Sequence, residues 1–328
     1  MADSNENGRP DVFDRIRARC RAVAATADHV RIHGDRIDGY AATLSLDRPA
    51  LPSIDAESHF LGDEAETVAY FVTLAAINFG SGYFPHLRKR PRMSGYYTIA
   101  ASLADRFRAD GPIPAAGLRA TTPRDCAQLF GQDMAHFPIR ELMTLFARAL
   151  GHLGGHVESR YDGQFDRLIE AADRSAARLV ELLTAQPFFR DVPTYREISV
   201  PFYKRAQLLA SDLALAFDGQ GPGRFDDLDR LTIFADNLVP HVLRVDGLLE
   251  YSEALAATID RDEPIRAGSD EEVEIRACAV DCVERIRDAL ARSGRCVPAR
   301  DLDQLLWHRG QSPVYKVVKR HRTRTVFY

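Results

Sequence analysis

The sequence predicts an all-α or nearly all-α fold. Apolar residues recur at the period of an amphipathic helix along most of the 328 residues. Residues typical of helix starts and stops, such as Thr122-Pro123 and Gly131, bound several of these runs. Alternating apolar and polar residues, the pattern of a half-buried strand, are sparse. We therefore expect a single compact helical unit.

The predicted helices follow one another along the chain with short breaks. The first is marked by Phe13, Ile16, Cys20 and Val23, which share one helix face. Residues 188–200 are the best candidate for irregular or short extended structure. The other predicted helices cover residues 63–79, 94–107, 122–131, 138–150, 164–185, 202–217, 237–249, 270–293 and 299–308.

The domain organisation is predicted to be simple. Residues 1–11 are polar and are expected to fray, and no low-complexity linker divides residues 12–328. The N-terminus lacks the apolar core of a secretory signal, and the longest apolar stretch, 68–79, is too short to span a bilayer. Five cysteines at irregular spacing favour reduced thiols, so we expect a cytoplasmic protein without a membrane partner.

The overall charge favours a small ligand over a polynucleotide. The formal net charge is −4, whereas a protein that grips a long nucleic-acid backbone usually carries a basic surface. We therefore expect no polynucleotide partner. No heptad pattern indicates an oligomer, and a monomer is the default expectation.

The first candidate site is the tract PFYKRAQLLASDLALAF, residues 201–217. Lys204 and Arg205 begin an otherwise apolar helix. Cations at a helix N-terminus oppose the helix dipole, so a solvated first turn is the less satisfactory explanation. Clustered positive charge at this point indicates a phosphate site.

The second candidate site is the tract FADNLVPHVLRV, residues 234–245. Asp236 precedes an apolar helical run, so its default role is that of an N-cap. A capping carboxylate can also be catalytic, because backbone N–H groups keep it ionised. The pattern alone leaves both roles open.

The two tracts together resemble the helix-hairpin-helix DNA glycosylases. In that superfamily a lysine opens an apolar helix, and a catalytic aspartate heads a later helix of the form D-x-x-V-x-R-V. Here Lys204 precedes Asp236, which is followed by Val239, Arg244 and Val245. The spacing between lysine and aspartate is wider here, with GQGPGRFDDLDR (219–230) as the apparent insertion.

A more specific resemblance is to the queuosine salvage protein family, the queuosine-phosphate N-glycosidases. The number and order of the matching strings carry it, and they run through most of the chain. They are AINF (76–79), SGYY (94–97), FRDV (189–192), FYKRAQLLASD (202–212), FADNLVP (234–240), EVEIRACAV (272–280), DQLLW (303–307) and HRTRTVFY (321–328).

This resemblance implies a helix-hairpin-helix-like fold that acts on a free nucleotide, queuosine 5′-monophosphate, and releases queuine and ribose 5-phosphate. Cleavage of a ribosyl C–N bond builds positive charge on the sugar. The resemblance gives Asp236 the role of stabilising or attacking that charge. Lys204 is the first choice for the 5′-phosphate, with Tyr203 or Arg205 in support. Further positive charge lies in the basic tail, at Lys316, Lys319, Arg320, Arg322 and Arg324.

The remaining substrate-binding predictions concern the base. A deazaguanine lacks the ring nitrogen that is usually protonated in purine departure, so help must come from hydrogen bonds elsewhere on the base. Asp303 is predicted to accept from the exocyclic amine and ring N–H of the base, and Asn78 or a pocket tyrosine to address the remaining edge. His59 or Asp303 is predicted to meet the cationic amine of queuine. Phe234 is predicted to form part of the base pocket, and Tyr97 and Trp307 to stack on the base or close the pocket. These residues are Phe234, Asp303, His59, Asn78, Tyr97 and Trp307.

Other patterns favour structural roles. His152 and His156 are spaced as metal ligands could be, but glycines lie between them and no HExxH pattern is present, so we expect no metal and no cofactor. Glu272 and Arg276 are four residues apart on a predicted helix, which favours an ion pair.

Two rival functions are compatible with the sequence. A DNA or RNA base glycosylase of the helix-hairpin-helix type would bind polynucleotides in a salt-dependent way. A non-catalytic protein that binds a modified base would keep the aromatic pocket and would not require Asp236.

Overall fold

The computed structural model describes residues 10–45 and 54–328. Within these ranges helices dominate, which confirms the predicted fold class. The α-helices are α1 (Val12–Ala25), α2 (Ile37–Thr43), α3 (Glu64–Ile77), α4 (Gly95–Asp110), α5 (Ala115–Ala120), α6 (Pro123–Leu129), α7 (Phe137–Tyr161), α8 (Phe165–Glu170), α9 (Ala176–Leu183), α10 (Lys204–Ala216), α11 (Val239–Val245), α12 (Glu253–Asp260), α13 (Asp270–Arg292), α14 (Ala299–Arg309) and α15 (Pro313–Val317).

The strands of the described residues are short and form two antiparallel pairs. In one pair Val30 lies opposite Tyr251, although the two residues are far apart in sequence. The other pair is a local hairpin within the predicted irregular segment. The strands are β1 (Val30–Ile32), β2 (Thr194–Tyr195), β3 (Ile198–Ser199) and β4 (Leu249–Tyr251).

The described residues group into two compact units, and each contains several segments of the chain. The first unit comprises residues 10–45, 191–204 and 229–324, and the second comprises 54–190, 205–228 and 325–328. The predicted domain over 12–328 stays a prediction. Residues 1–9 of the predicted frayed terminus lie outside the described residues, while Asp11 caps α1 by accepting from the Asp14 N–H at 2.8 Å.

In the first unit α13 is the central helix. It packs against α1, α2, α11 and α14. Its first half is buried on every side, from Glu272 through Glu284. Polar side chains in such a helix need internal partners, because burial removes their water.

In the second unit α7 packs against α3, α5 and α6. It continues well beyond its predicted end at residue 150, through three glycines. Gly154 explains part of this difference, since a Cβ there would collide with backbone atoms of Ala115 and Arg119 in α5. A glycine is tolerated inside this helix because it permits close helix packing.

The other predicted helices agree with the structure except at two places. The predicted helix 164–185 is wrong as a single element, because Asp173 and Arg174 adopt left-handed backbone angles between α8 and α9. The predicted helix 237–249 is too long. It ends at Val245, and Gly247, with φ of 78°, leads into β4. Helices α2, α5, α12 and α15 were not predicted.

None of the helices in residues 10–45 and 54–328 is long and apolar enough to cross a membrane. The five cysteines are unpaired, and Cys278 and Cys282 are buried in α13. Within the same described ranges no three metal-ligating side chains cluster together, and the absence of a metal from the reaction stays a prediction.

Candidate active site

Asp236 lies in the loop that precedes α11, and two groups of the first unit hold its carboxylate. One oxygen, Oδ1, accepts a hydrogen bond from the backbone N–H of Leu238 at 2.7 Å. The other, Oδ2, lies 3.3 Å from the ammonium of Lys204. The Asp236 side chain is 16% exposed and that of Lys204 is 9% exposed, so the ion pair is largely shielded from water.

The prediction that Asp236 is the N-cap of the following helix is wrong. Helix α11 begins at Val239, and its N-cap is Leu238, which makes no side-chain capping bond. Asp236 instead accepts from the backbone two residues ahead, a local turn that aspartate favours. The carboxylate is therefore fixed by a turn before the helix.

The surroundings of Asp236 favour its ionised form. Burial opposes ionisation, but the nearby charge of Lys204 and the Leu238 N–H outweigh it, with a further contribution from Arg320. The pKa of Asp236 consequently lies below its ordinary value. At neutral pH this carboxylate is negative and available to stabilise positive charge.

Lys204 occupies the first position of α10, directly after an unusual backbone conformation. Tyr203 has φ of 48°, a left-handed value that non-glycine residues rarely adopt. Such conformations are concentrated at functional sites. The sequence prediction assigns Lys204 to the substrate phosphate, whereas its ammonium in this structure lies against Asp236.

Asp303, on α14, is a second buried carboxyl group in this region. It is 5% exposed, and its Oδ1 accepts from the backbone N–H of Phe234 at 2.8 Å. Burial, followed by the negative charge of Asp236, raises the pKa of Asp303 to about 7. The pKa values of the two aspartates are thus shifted in opposite directions, a pattern typical of acid–base pairs.

Arg276 of α13 holds the loop on the other side of Asp236. Its Nε donates to the carbonyl of Ala235 at 3.0 Å. Its guanidinium also pairs with Asp191 and Glu272, at 2.5 Å and 3.2 Å, and is 1% exposed. The predicted Glu272–Arg276 ion pair is confirmed. The contacts with Asp191 and Ala235 were missed, because they join segments that are distant in sequence.

Phe234 and Trp307 are the predicted base-contacting aromatics of the first unit. Phe234 is 4% exposed, and its N–H anchors Asp303. Trp307 is partly exposed on α14, one turn after Asp303. The structure therefore brings Asp236, Lys204, Phe234 and Asp303 into one network, while contacts of either ring with a base stay a prediction.

The other predicted substrate-binding residues lie in the second unit. His59 is buried, and its Nδ1 contacts the Asp55 carbonyl at 3.0 Å. A carbonyl only accepts, so Nδ1 carries the proton and Nε2 accepts from the Tyr96 hydroxyl at 2.8 Å. Tyr97 contacts the His59 ring edge-on, and both Tyr97 and Asn78 are partly exposed.

Arg205 has a structural position in the second unit. Its Nη1 donates to the carbonyls of Ala75 and Ala76 at 2.7 Å each, and its Nη2 donates to Phe188. The first two carbonyls belong to the last turn of α3, where a cation is favoured. The role of Arg205 in phosphate binding stays a prediction.

Comparisons with known proteins identify the family. A sequence model described as queuosine salvage protein matches residues 58–328. A Sphaerobacter thermophilus protein named queuosine 5′-phosphate N-glycosylase/hydrolase is 39% identical over 312 residues, which are 94% of this chain and 96% of that protein. Proteins with the same name are 37% identical over 203 residues in Dictyostelium discoideum, 61% of each chain, and 32% identical over 246 residues in Mus musculus, 72% of each.

The family match covers most of the chain, including the tracts with Lys204, Asp236 and Asp303. The resemblance to this family, which the short matching strings indicated, is thereby confirmed. The helix-hairpin-helix-like fold stays a prediction. This chain belongs to the queuosine salvage protein family.

Proposed function

We propose that this chain is a hydrolase that cleaves the N-glycosidic bond of queuosine 5′-phosphate and releases queuine and ribose 5-phosphate. The observation that carries the proposal is the ionised Asp236, paired with Lys204 in a chain whose relatives are named for this activity. An ionised, shielded carboxylate suits a reaction that develops positive charge on a sugar.

Asp236 acts on the ribose in this proposal. As the C1′–N bond lengthens, the electron pair leaves with the base and the sugar becomes oxocarbenium-like. The negative charge of Asp236 stabilises this state, more strongly than it would in bulk water because the side chain is largely buried. Water then supplies the oxygen that bonds to C1′ and releases one proton, which replaces the proton that the departing base takes up.

Asp303 acts on the base. A carboxyl group with a pKa of about 7 is substantially protonated at neutral pH. Its backbone contact with Phe234 joins it to the loop that carries Asp236. We propose that the neutral acid donates its proton to the base as the C–N bond breaks, and that the proton released by the attacking water restores the acid. This supplies the leaving-group help that a deazaguanine cannot receive at the missing ring nitrogen.

A release assay tests the function. Purified protein is incubated with queuosine 5′-phosphate, and queuine and ribose 5-phosphate are measured by chromatography. We expect both products in equal amounts, with kcat falling about 100- to 1000-fold for Asp236→Asn, the range seen when one electrostatic stabiliser is lost. Circular dichroism checks that the variant is folded. Near-normal turnover in a folded Asp236→Asn variant would contradict the role of Asp236, and absence of release by the unaltered chain would contradict the function.

The rest of the functional hypothesis stays a prediction. It includes action as a monomer in the cytoplasm, on a free nucleotide, without a polynucleotide partner or a cofactor. An oligonucleotide that contains queuosine, assayed beside the free nucleotide, separates the predicted activity from that of a polynucleotide glycosylase.

A further inference from the structure

The second unit contains a cavity of about 400 Å³ beside the long helix α7. One wall is a single face of that helix, because the lining positions 144, 147, 148 and 151 follow one another at helical spacing. The other wall is the end of α5 and the turn that leads into α6. The residues that give the cavity its chemistry are Arg119, Thr121, Thr144, Arg148, Gly151 and His152.

The cavity is basic. Two arginines and a histidine line it, and none of the described lining residues is acidic. The Arg148 guanidinium lies over the ring of Phe188, with 5.8 Å between its Cζ and the ring centroid. The His152 ring lies 5.5 Å from the same ring. Phe188 therefore packs against both side chains, and its ring offers their N–H groups no carboxylate.

Arg119, on the other wall, has a carboxylate partner at the surface. Its Nη1 donates to Glu158 at 3.1 Å, and its side chain is 69% exposed. Exposed ion pairs of this kind contribute little free energy, so Arg119 turns from Glu158 to a ligand anion at small cost.

The two threonines of the cavity complement the cations. The Thr121 hydroxyl donates to the Gly117 carbonyl at 3.0 Å, and the Thr144 hydroxyl donates to the Arg140 carbonyl at 2.7 Å. A hydroxyl that has given its proton to a carbonyl still accepts through its lone pairs. The cavity thus combines donors for an anion with acceptors for the hydroxyl groups of a ligand.

Gly151 is an independent indication that the cavity has a use. Glycine destabilises the interior of a helix relative to alanine. Gly154 in the same helix is required by packing, because a Cβ there would collide with α5. A Cβ at Gly151 would come no closer than 3.7 Å to its nearest neighbour, the Arg119 carbonyl, which is ordinary van der Waals contact. Packing does not require this glycine, and the missing methyl group leaves room in the cavity.

We infer that this cavity binds a small phosphorylated molecule with free hydroxyl groups, of the sugar phosphate class. Arg119 and Arg148 meet the phosphate with charge-assisted hydrogen bonds, and His152 donates a further one. The ligand's hydroxyl groups donate to the two threonines. The volume suits such a ligand, since small-molecule pockets begin at about 300 Å³. The site uses none of the residues around Asp236, and the inference does not depend on the proposed function.

Chemical modification tests the site in the unaltered protein, with glucose 6-phosphate as the probe. Phenylglyoxal reacts with exposed arginines, and peptide mass spectrometry gives the rate at each of them. At about ten times its Kd, the probe should slow modification of Arg148 about tenfold, because that is the fall in the unbound fraction. Arg140 is the internal control, since it lies over the Phe137 ring at 5.6 Å on the same helix and does not line the cavity. Equal protection of both arginines, or protection of neither, would overturn the inference.

Calorimetry with variants tests the contacts one by one. We expect Arg148→Ala and His152→Ala each to weaken binding of glucose 6-phosphate about tenfold or more, while Arg140→Ala leaves it unchanged. Gly151→Ala should also weaken binding, yet it should not lower the melting temperature, because alanine favours the helix. Wild-type affinity in Arg148→Ala would overturn the inference.

Other anions define the ligand. We expect inorganic phosphate and sulfate to bind about tenfold more weakly than glucose 6-phosphate, and Thr144→Val to remove most of that difference, because its hydroxyl no longer accepts from the sugar. Sulfate that binds as tightly as glucose 6-phosphate would reduce the cavity to an unspecific anion site and overturn the assignment to a sugar phosphate. Inorganic phosphate that binds as tightly would likewise overturn it, in favour of the free ion.

Discussion

The loop around Asp236 and the segment around Arg320 differ in how completely their polar groups are paired. In the loop, Asp236 contacts Lys204 and Leu238, and Arg276 holds the carbonyl of the preceding residue. In the segment, neither ring nitrogen of the buried His321 has a hydrogen-bond partner among the described residues. Paired groups set the position and charge of a reacting side chain, whereas unpaired ones are available to a ligand.

Among the paired residues around Asp236, substitution of Arg276 should destabilise the protein most. Arg276→Met keeps the length of the side chain but leaves Asp191 and Glu272 buried without their cation. We expect the free energy of unfolding to fall by about 3–5 kcal/mol, the usual cost of breaking a buried ion pair from one side. Urea unfolding followed by circular dichroism measures it.

Arg261→Ala is the control for this substitution. Arg261 pairs with Glu263 at the surface, at 2.8 Å, and we expect its loss to leave the unfolding midpoint nearly unchanged. A similar small change in Arg276→Met would show that the buried cluster does not stabilise the loop.

The next largest effect is expected on kcat, through the protonated form of Asp303, and not on the stability of the fold. Asp303 has its pKa raised to about 7, so its protonated form is lost as the pH rises through that value. We expect wild-type kcat to decline above about pH 7. Asp303→Asn keeps an oxygen for the Phe234 N–H and should abolish that decline while lowering kcat about a hundredfold, the low end for a general acid.

Asp301→Asn is the matched control, since Asp301 lies on the same helix. We expect that variant to keep the decline above pH 7. A profile that still declines in Asp303→Asn would assign the titration to another group.

The sequence predicted the helices best where the pattern is long and continuous. The predicted range 270–293 agrees closely with α13, because one apolar face and a clear N-cap define it. The break between α8 and α9 depends on distant contacts, since Asp227 accepts from the backbone of Ala176 and Ala177. The pairing of β1 with β4 likewise joins short segments from opposite ends of the chain, and no local pattern announces it.

At the candidate site, residue types were easier to predict than partners. Asp236 and Lys204 stand out in the sequence, yet only the structure shows that they contact each other. His321 lies in a basic tail that usually indicates a solvated surface. Its burial and unpaired nitrogens are tertiary properties, and the sequence signal for this segment was the match of HRTRTVFY to the family.

The central claim is that Lys204 keeps Asp236 ionised. The most direct test is the pH dependence of kcat in Lys204→Met, measured with phosphorylated and unphosphorylated queuosine. Lys204 holds the pKa of Asp236 down, so its removal raises that pKa, and activity should begin at a higher pH than in the unaltered protein. The loss should be equal for both substrates. A loss confined to the phosphorylated substrate, with an unshifted acidic limb, would contradict the account and return the phosphate to Lys204.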